Sequence, residues 1–512
     1  MQSDLESDVS RIPPQSLYKA QGALLVKSEM PSSQLADLLS GQEELRGRKR
    51  PSSTVWRLIL MLGDVVLLGV LFGLLLFFRL IPQVSTSTLK IPEARLIWIC
   101  LALVSWGLAV NITQSQNLSY ASNRFKGPCC TLFALVLMCI FWIFLSYFLL
   151  GIGFIASVRL ELFFLGLAIP VFSIWRVLFV EVMLLPRFRL RAVIVGVNSA
   201  GETVAKGLQS AKHSRINILG YIDESTAEKS YENGLSVLGD RSTLRYLVYN
   251  DMVDMIIIAL KYGTNPGLFK EATDAAQHGI SVLPMAVAYE NSTGKIPVEH
   301  VGDQWYAALQ SELIVSPLYL CGKKVLDLVC GVFGLLVLCL MLPIIALLIC
   351  LDSPGPIFYS QERVGFRGKP FRIYKFRTMR PDAEAGGHAV WAGGKSDKRI
   401  TRVGRILRAT HLDEVPQVFN ILRGNMSLIG PRPERAEFIK ELEKTIPFYG
   451  NRLAVKPGLT GWAQVKYRYG RTDNDALIKL QYDLYYIKRQ SFMLDLFIIL
   501  KTVAEVLSLR GA

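Results

Sequence analysis

Asp413 and Glu414 stand side by side in RATHLDEVPQVFN (408–420), at the end of a strongly basic stretch. Residues 360–410 hold thirteen Lys and Arg, from Arg363 to Arg408, against four acids. Neighbouring side chains diverge by about 100° on a helix and point to opposite faces of a strand, so the two carboxylates cannot both face one substrate atom squarely. They are expected to have different tasks. A basic surface beside apolar helices predicts anionic partners, phosphorylated substrates and lipid headgroups rather than nucleic acid. In YKFRTM (374–379) strand alternation would put Lys375 and Arg377 on one face as a two-pronged phosphate clamp. A solvated basic strand is the plainer reading of that hexamer alone.

The elements around these residues are unusually apolar. The chain carries a formal charge of +15, yet 51% of it is hydrophobic, which is high for a soluble protein. The excess is local. Leu58–Phe78 is apolar but for Asp64, Leu96–Thr113 and Gly127–Val158 carry no charge, and Leu162–Val180 is interrupted only by Arg176. Each can cross a hydrocarbon core of roughly 30 Å at about 1.5 Å per residue, predicting four transmembrane helices within 54–186. Residues 1–53 are polar and read as a disordered cytosolic tail without a cleavable signal. With that tail inside, the inner flanks hold ten basic residues (Arg46, Arg48, Lys49, Arg50, Arg57, Arg124, Lys126, Arg187, Arg189, Arg191) against four outside (Arg79, Lys90, Arg95, Arg159). That bias places both ends of the bundle in the cytosol. The eight cysteines lie in or beside apolar stretches and the five histidines are scattered, so neither a disulfide framework nor a zinc site is expected.

Beyond the bundle, RAVIVGVNSAGETVAKGLQ (191–209) reads as strand, glycine turn and helix, and predicts a Rossmann-like α/β domain over 187–310. Its turn, Gly196 to Gly201, has Asn198 where a second glycine would admit a pyrophosphate. Nucleotide binding with Asp223 on a ribose is therefore the lesser expectation, behind a structural or regulatory domain without a cofactor. The chain then turns apolar again over Leu328–Leu351, 24 residues with Pro343 near the middle. A straight helix of that length would span a bilayer and strand the following segment outside, whereas a proline there favours a bend.

Three segments, RVGFRGKPFRIYKFRTM, LDEVPQVFNILRGNMSLIGPRP and VKPGLTGWAQV, follow that helix in order. Together they resemble the bacterial sugar transferases, the monotopic phosphoglycosyl transferases, over about Leu318–Ala512. The four helices and the Rossmann-like domain look like those of the large, WbaP-like members. The resemblance implies a C-terminal catalytic domain over 316–512 with a re-entrant helix, 323–351, broken at Pro343. It also implies transfer of a hexose-1-phosphate from a UDP-sugar, UDP-galactose or UDP-glucose, to undecaprenyl phosphate. UMP would be released, in the first membrane step of exopolysaccharide or O-antigen synthesis.

On this resemblance Asp413 attacks the sugar-bearing phosphorus to form a covalent intermediate. Glu414 holds Mg²⁺, which Mn²⁺ can replace, and Asp483 matches an acidic position near that metal, with a structural cap or ion pair as its alternative role. Lys375 and Arg377 bind phosphate, Arg432 binds phosphate or the uridine side, and Lys456 positions the nucleotide. UDP-sugars being cytosolic, the catalytic domain belongs on the cytosolic face of the bacterial inner membrane, and a homodimer is compatible with the chain. This sequence departs from the common family pattern in Leu342-Pro343, where Ser-Pro is usual, and in Asn425, where Asp is frequent. Two rival readings are a membrane-bound nucleotide-sugar dehydratase or epimerase, for which Tyr319-x-x-x-Lys323 has the spacing, and a non-enzymatic scaffold of an export assembly.

Overall fold

The computed structural model describes residues 51–77, 91–124, 126–150, 154–210, 215–224, 233–260, 263–302, 316–380, 397, 399–467 and 472–508. The tail expected over 1–53 lies outside them up to residue 50, as do Arg79 and Lys90 of the orientation count and Lys395 and Lys398 of the basic stretch. The chain forms two compact units, Met1–Thr293 and Gly294–Ala512.

The first unit opens with α1 (Ser53–Phe77), α2 (Ile91–Thr113), α3 (Lys126–Leu150) and α4 (Phe154–Leu184). Ser53–Leu75, Lys126–Leu145 and Val158–Leu184 are long and apolar enough to cross a membrane, and the fully described part of α2 is apolar over Cys100–Thr113. The two charges that interrupt the apolar pattern meet: Arg176 Nη2 lies 2.8 Å from Asp64 Oδ2, and neither side chain is exposed. Gln116 and Trp175 donate to the same carboxylate. Pairing and hydrogen bonding are the conditions under which charge persists in such surroundings.

After the bundle comes a five-stranded parallel sheet, β1 (Leu190–Val195), β2 (Ile216–Ile222), β3 (Val237–Gly239), β4 (Met255–Ile258) and β5 (Ser281–Pro284), in the order β3-β2-β1-β4-β5. Helices α5 (Ser199–Ser210), α6 (Arg241–Tyr249) and α7 (Pro266–Asp274) connect the strands, and α8 (Met285–Thr293) ends the unit. Central β1 is buried from Arg191 onward, as a strand covered on both faces must be.

The second unit is built on α9 (Pro317–Asp352), 36 residues long. Residues on both sides of Pro343 are helical, so α9 is not interrupted there. A proline inside a helix removes one hydrogen bond and crowds the preceding turn. Here Leu338, Ile345 and Ile349 bracket Pro343 and pack with Phe376, Leu407 and Val418, which holds the helix on both sides. Most of the remaining surface of α9 is exposed and apolar, with Leu328, Phe333, Leu336, Leu340, Ile344 and Leu351 all open. Both ends of α9 nevertheless bind this same unit. Tyr319 Oη donates to Asp495 Oδ2 at 2.8 Å, and Val403 N donates to Asp352 Oδ2 at 2.8 Å.

An antiparallel hairpin of β6 (Phe358–Val364) and β7 (Pro370–Phe376) follows, then α10 (Arg402–Ala409), α11 (Val418–Leu422) and β8 (Ser427–Ile429). The remainder is α12 (Ala436–Thr445), β9 (Gly458–Thr460), α13 (Trp462–Lys466), α14 (Asp473–Lys488) and α15 (Phe492–Leu507). This unit begins ahead of the edges expected at 310 and 316, because Ile296 and Val298 are buried in its core with Trp462, Leu480 and Tyr482.

Candidate active site

Helix α10 stops at Ala409, and His411 turns the chain at φ 57°, in the left-handed region that residues other than glycine seldom occupy. A 3-10 turn, Leu412–Gln417, then carries Asp413 and Glu414 and leads straight into α11. Two glycines of α9 make the seat. A Cβ on Gly331 would come within 2.7 Å of Leu422, and one on Gly334 within 2.6 Å of Val418, so only hydrogen at these positions lets α11 lie so close.

The two acids divide. Glu414 Oε1 accepts from Lys375 Nζ at 2.6 Å and from Arg432 Nη2 at 2.8 Å; its other oxygen has no hydrogen-bond partner among the described residues. Burial alone would raise its carboxyl, but Arg432 and Lys375 hold it well below the usual carboxylate range. Asp413 is 7% exposed and its carboxylate accepts no hydrogen bond among the described residues. Burial and then the charge of Glu414 push its carboxyl upward, against the pull of Lys375, Arg408 and Arg432. One acid is a clamped anion and the other is a bare carboxylate in a cationic field.

Arg377 does not join Lys375. Strand β7 ends at Phe376, and the Arg377 guanidinium turns back to the Ser353 carbonyl at 2.6 Å and the Pro354 carbonyl at 3.0 Å, capping the end of α9. The clamp expected from alternation is thus one lysine, with Arg432 as the second cation. Arg432 is carried by the loop after β8, which is held to β9 by close backbone approach: a Cβ on Gly458 would fall 2.0 Å from the Gly430 nitrogen.

Asp483 is not tied to Glu414 by any contact among the described residues. Its Oδ2 accepts from Arg452 Nη2 at 2.9 Å, and burial pushes its carboxyl up to about 6 against that arginine. Arg452 Nη2 also donates to the Arg432 carbonyl at 3.0 Å, and its Nη1 to Tyr449. Asp483 therefore reaches the site through Arg452, by holding the loop that presents Arg432. Lys456 points toward Gly424, its Nζ 3.5 Å from where a Cβ there would stand. Its neighbour Pro457 and Val455 line a shallow depression with Arg432, Glu434 and Arg452.

Arg452 and Arg408 are the residues that sequence reasoning missed. Arg408 donates to Thr378 Oγ1 at 3.1 Å and bears electrostatically on Asp413; its place five residues before Asp413 was the available signal. Arg452 had none nearby, since its acidic partners are Glu434 and Asp483.

Among the described residues no three His, Cys, Asp or Glu side chains could together hold a metal ion. The free oxygens of Glu414 and Asp413 fit a hard cation that takes most of its ligands from phosphate and water, as Mg²⁺ does. Tyr319 and Lys323 instead share Asp495, with Lys323 Nζ also 2.9 Å from Tyr486 Oη. Their spacing serves the base of α9 in the second unit.

In the first unit the glycine turn is closed by its own side chains. Val197 N donates to Asp223 Oδ2 at 2.8 Å, Gly201 N to Asn198 Oδ1 at 2.9 Å, and Asn198 Nδ2 to the Ala259 carbonyl at 2.7 Å. Asp223, which the lesser expectation put on a ribose, is engaged by the turn.

Two family models match parts of the chain. A family model described as bacterial sugar transferase matches residues 318–509, and one described as a CoA-binding domain matches 119–283. The engaged N–H groups at 197 and 201, with a carboxylate beside them, do not fit the diphosphate of such a cofactor at that turn. The chain is 40% identical over 223 residues to the UDP-N-acetylgalactosamine-undecaprenyl-phosphate N-acetylgalactosaminephosphotransferase of Aeromonas hydrophila, covering 44% of this chain and 51% of that protein. It is 34% identical over 329 residues to the UDP-glucose:undecaprenyl-phosphate glucose-1-phosphate transferase of Xanthomonas campestris pv. campestris, covering 63% and 67%. To the protein of that same name in Caulobacter vibrioides it is 42% identical over 192 residues, covering 37% and 71%. The match thus spans about half the length of the Aeromonas protein.

Proposed function

Because the chain belongs to the bacterial sugar transferase family, we propose that it moves a hexose-1-phosphate from a UDP-sugar to undecaprenyl phosphate and releases UMP. The observation that carries this reading is the bare, buried Asp413 carboxylate beside a clamped Glu414. In the first half-reaction an Asp413 oxygen bonds to the sugar-bearing phosphorus while the bond from that phosphorus to the UMP oxygen breaks, and UMP leaves with the electron pair. In the second, a phosphate oxygen of undecaprenyl phosphate attacks the same phosphorus and Asp413 departs as carboxylate. Lys375 and Arg432 keep Glu414 ionised and fixed, so that Asp413 alone is free to move into bonding distance.

Mg²⁺, or Mn²⁺ in its place, would screen the donor diphosphate when bound, and the unpartnered oxygen of Glu414 is the protein atom suited to hold it. Asp483 supports the site through Arg452. Helix α9 enters and leaves one leaflet, a reading supported by the packing of both its ends on one unit and by its exposed apolar surface. The catalytic unit then lies with the UDP-sugars on the cytosolic face of the inner membrane.

Purified full-length protein incubated with UDP-glucose, UDP-galactose and UDP-N-acetylgalactosamine tests the reading; the third is included because of the name of the Aeromonas relative. UMP should appear with at least one donor, and intact-mass measurement without lipid should show a sugar-phosphate adduct on the protein. Release of UDP in place of UMP would make it an ordinary glycosyltransferase and overturn the proposal.

A further inference from the structure

A segment that neither family model covers is built into the core of the second unit: the matches stop at residue 283 and resume at 318. Between them, Ile296 and Val298 are 0% and 2% exposed, and Pro297 between them is buried too. Gly294 turns at φ +70° against the Trp462 ring, and Trp462 Nε1 donates to the Gly294 carbonyl at 3.0 Å. Ile296 N donates to the Gln481 carbonyl at 3.1 Å, and Lys295 Nζ stands 5.0 Å over the Tyr482 ring. Every one of these contacts falls on α14 or on the tryptophan packed against it.

Helix α14 also carries Asp483. Gln481 and Tyr482 immediately precede it, so the segment grips the same turn of the helix that presents Asp483 to Arg452. That pair reaches the Arg432 carbonyl, and Arg432 clamps Glu414. The geometry points to residues 294–298 as a positioning strap: seated on α14, they hold Asp483 and Arg452 in register and thereby set Arg432 for the donor. None of the five touches the acid pair. The catalytic half of this inference rests on the transfer reaction proposed above.

A side chain buried in a close-packed core cannot be shortened without the neighbouring element relaxing into the space. The test uses the full chain in detergent, comparing wild type with Ile296→Ala/Val298→Ala and with Ile498→Ala. Ile498 is equally buried in the same core but lies on α15. Hydrogen exchange of the amides of 478–487 should accelerate in the double variant alone. The KM for the UDP-sugar should rise about tenfold there while kcat changes less, and Ile498→Ala should lower thermal stability without moving KM. Should the double variant not fold, Ile296→Val, one methylene lighter, carries the same comparison with a smaller acceleration. Unchanged exchange in α14, or a KM shift equal in Ile498→Ala, would overturn the strap. A wild type that releases no UMP from any donor would instead remove the transfer reaction, and the exchange measurement would still decide whether the strap holds α14.

Discussion

The chain contains two turns with an aspartate beside them, and it treats them in opposite ways. At Gly196–Gly201 the Asp223 carboxylate accepts from Val197 N, and Asn198 closes the rest. At 411–414 the Asp413 carboxylate is buried without a hydrogen-bond donor among the described residues, although three cations bear on it. Burying a carboxylate without a hydrogen bond is expensive. The satisfied acid serves the fold of its turn, and the unanswered one is where the proposed transfer would take place.

The hardest blow to that contrast should come at Asp413. Asp413→Asn removes the nucleophile and should lower UMP release by on the order of 10³-fold or more, several kcal/mol of transition-state stabilisation. The adduct should vanish from the intact-mass spectrum; sustained turnover by this variant would end the covalent route. Next in size is the cation. Excess EDTA should abolish activity and added Mg²⁺ restore it, while Glu414→Gln should raise the Mg²⁺ needed for half-activity by about tenfold. Full rate in EDTA would contradict this.

A smaller effect should follow pH. Asp483, with its carboxyl raised to about 6, must be ionised to hold Arg452, so kcat/KM should fall as pH drops through 6, and Asp483→Asn should flatten that part of the profile. Stability runs the other way: because burial lifts this pKa above its ordinary 3.8, the cost of the buried charge is absent at low pH and appears as pH rises from 3.8 to about 6. The difference in Tm between wild type and Asp483→Asn across that window should show this sign. The least effect belongs to the closed turn. Asp223→Asn keeps an acceptor for Val197 N and should leave transfer within about twofold of wild type; a large loss would give the first unit a part in the reaction.

Legibility in the sequence followed the range of each interaction. The apolar helices could be read because composition carries them, whereas the acid pair, Lys375 and Arg432 were singled out by the family resemblance of the short motifs that hold them. Arg377 could not be placed, because alternation holds only while the strand lasts and β7 ends one residue earlier. Pro343 signals a bend, and the helix around it is continuous and packed at Leu338, Ile345 and Ile349 on both sides. Asp483 and Arg452 lie 31 residues apart, and no local pattern reports which acid a distant arginine will choose.

The Asp64–Arg176 pair has a consequence for how the chain is made. Its partners lie 112 residues apart, on α1 and α4, so α1 leaves the ribosome with a charge that nothing yet neutralises. At about 5–20 residues per second the answering arginine follows on the order of ten seconds later. Until then α1 presents a costly carboxylate to lipid and is best kept at the insertion machinery. Release of the finished bundle is thereby timed by its last helix.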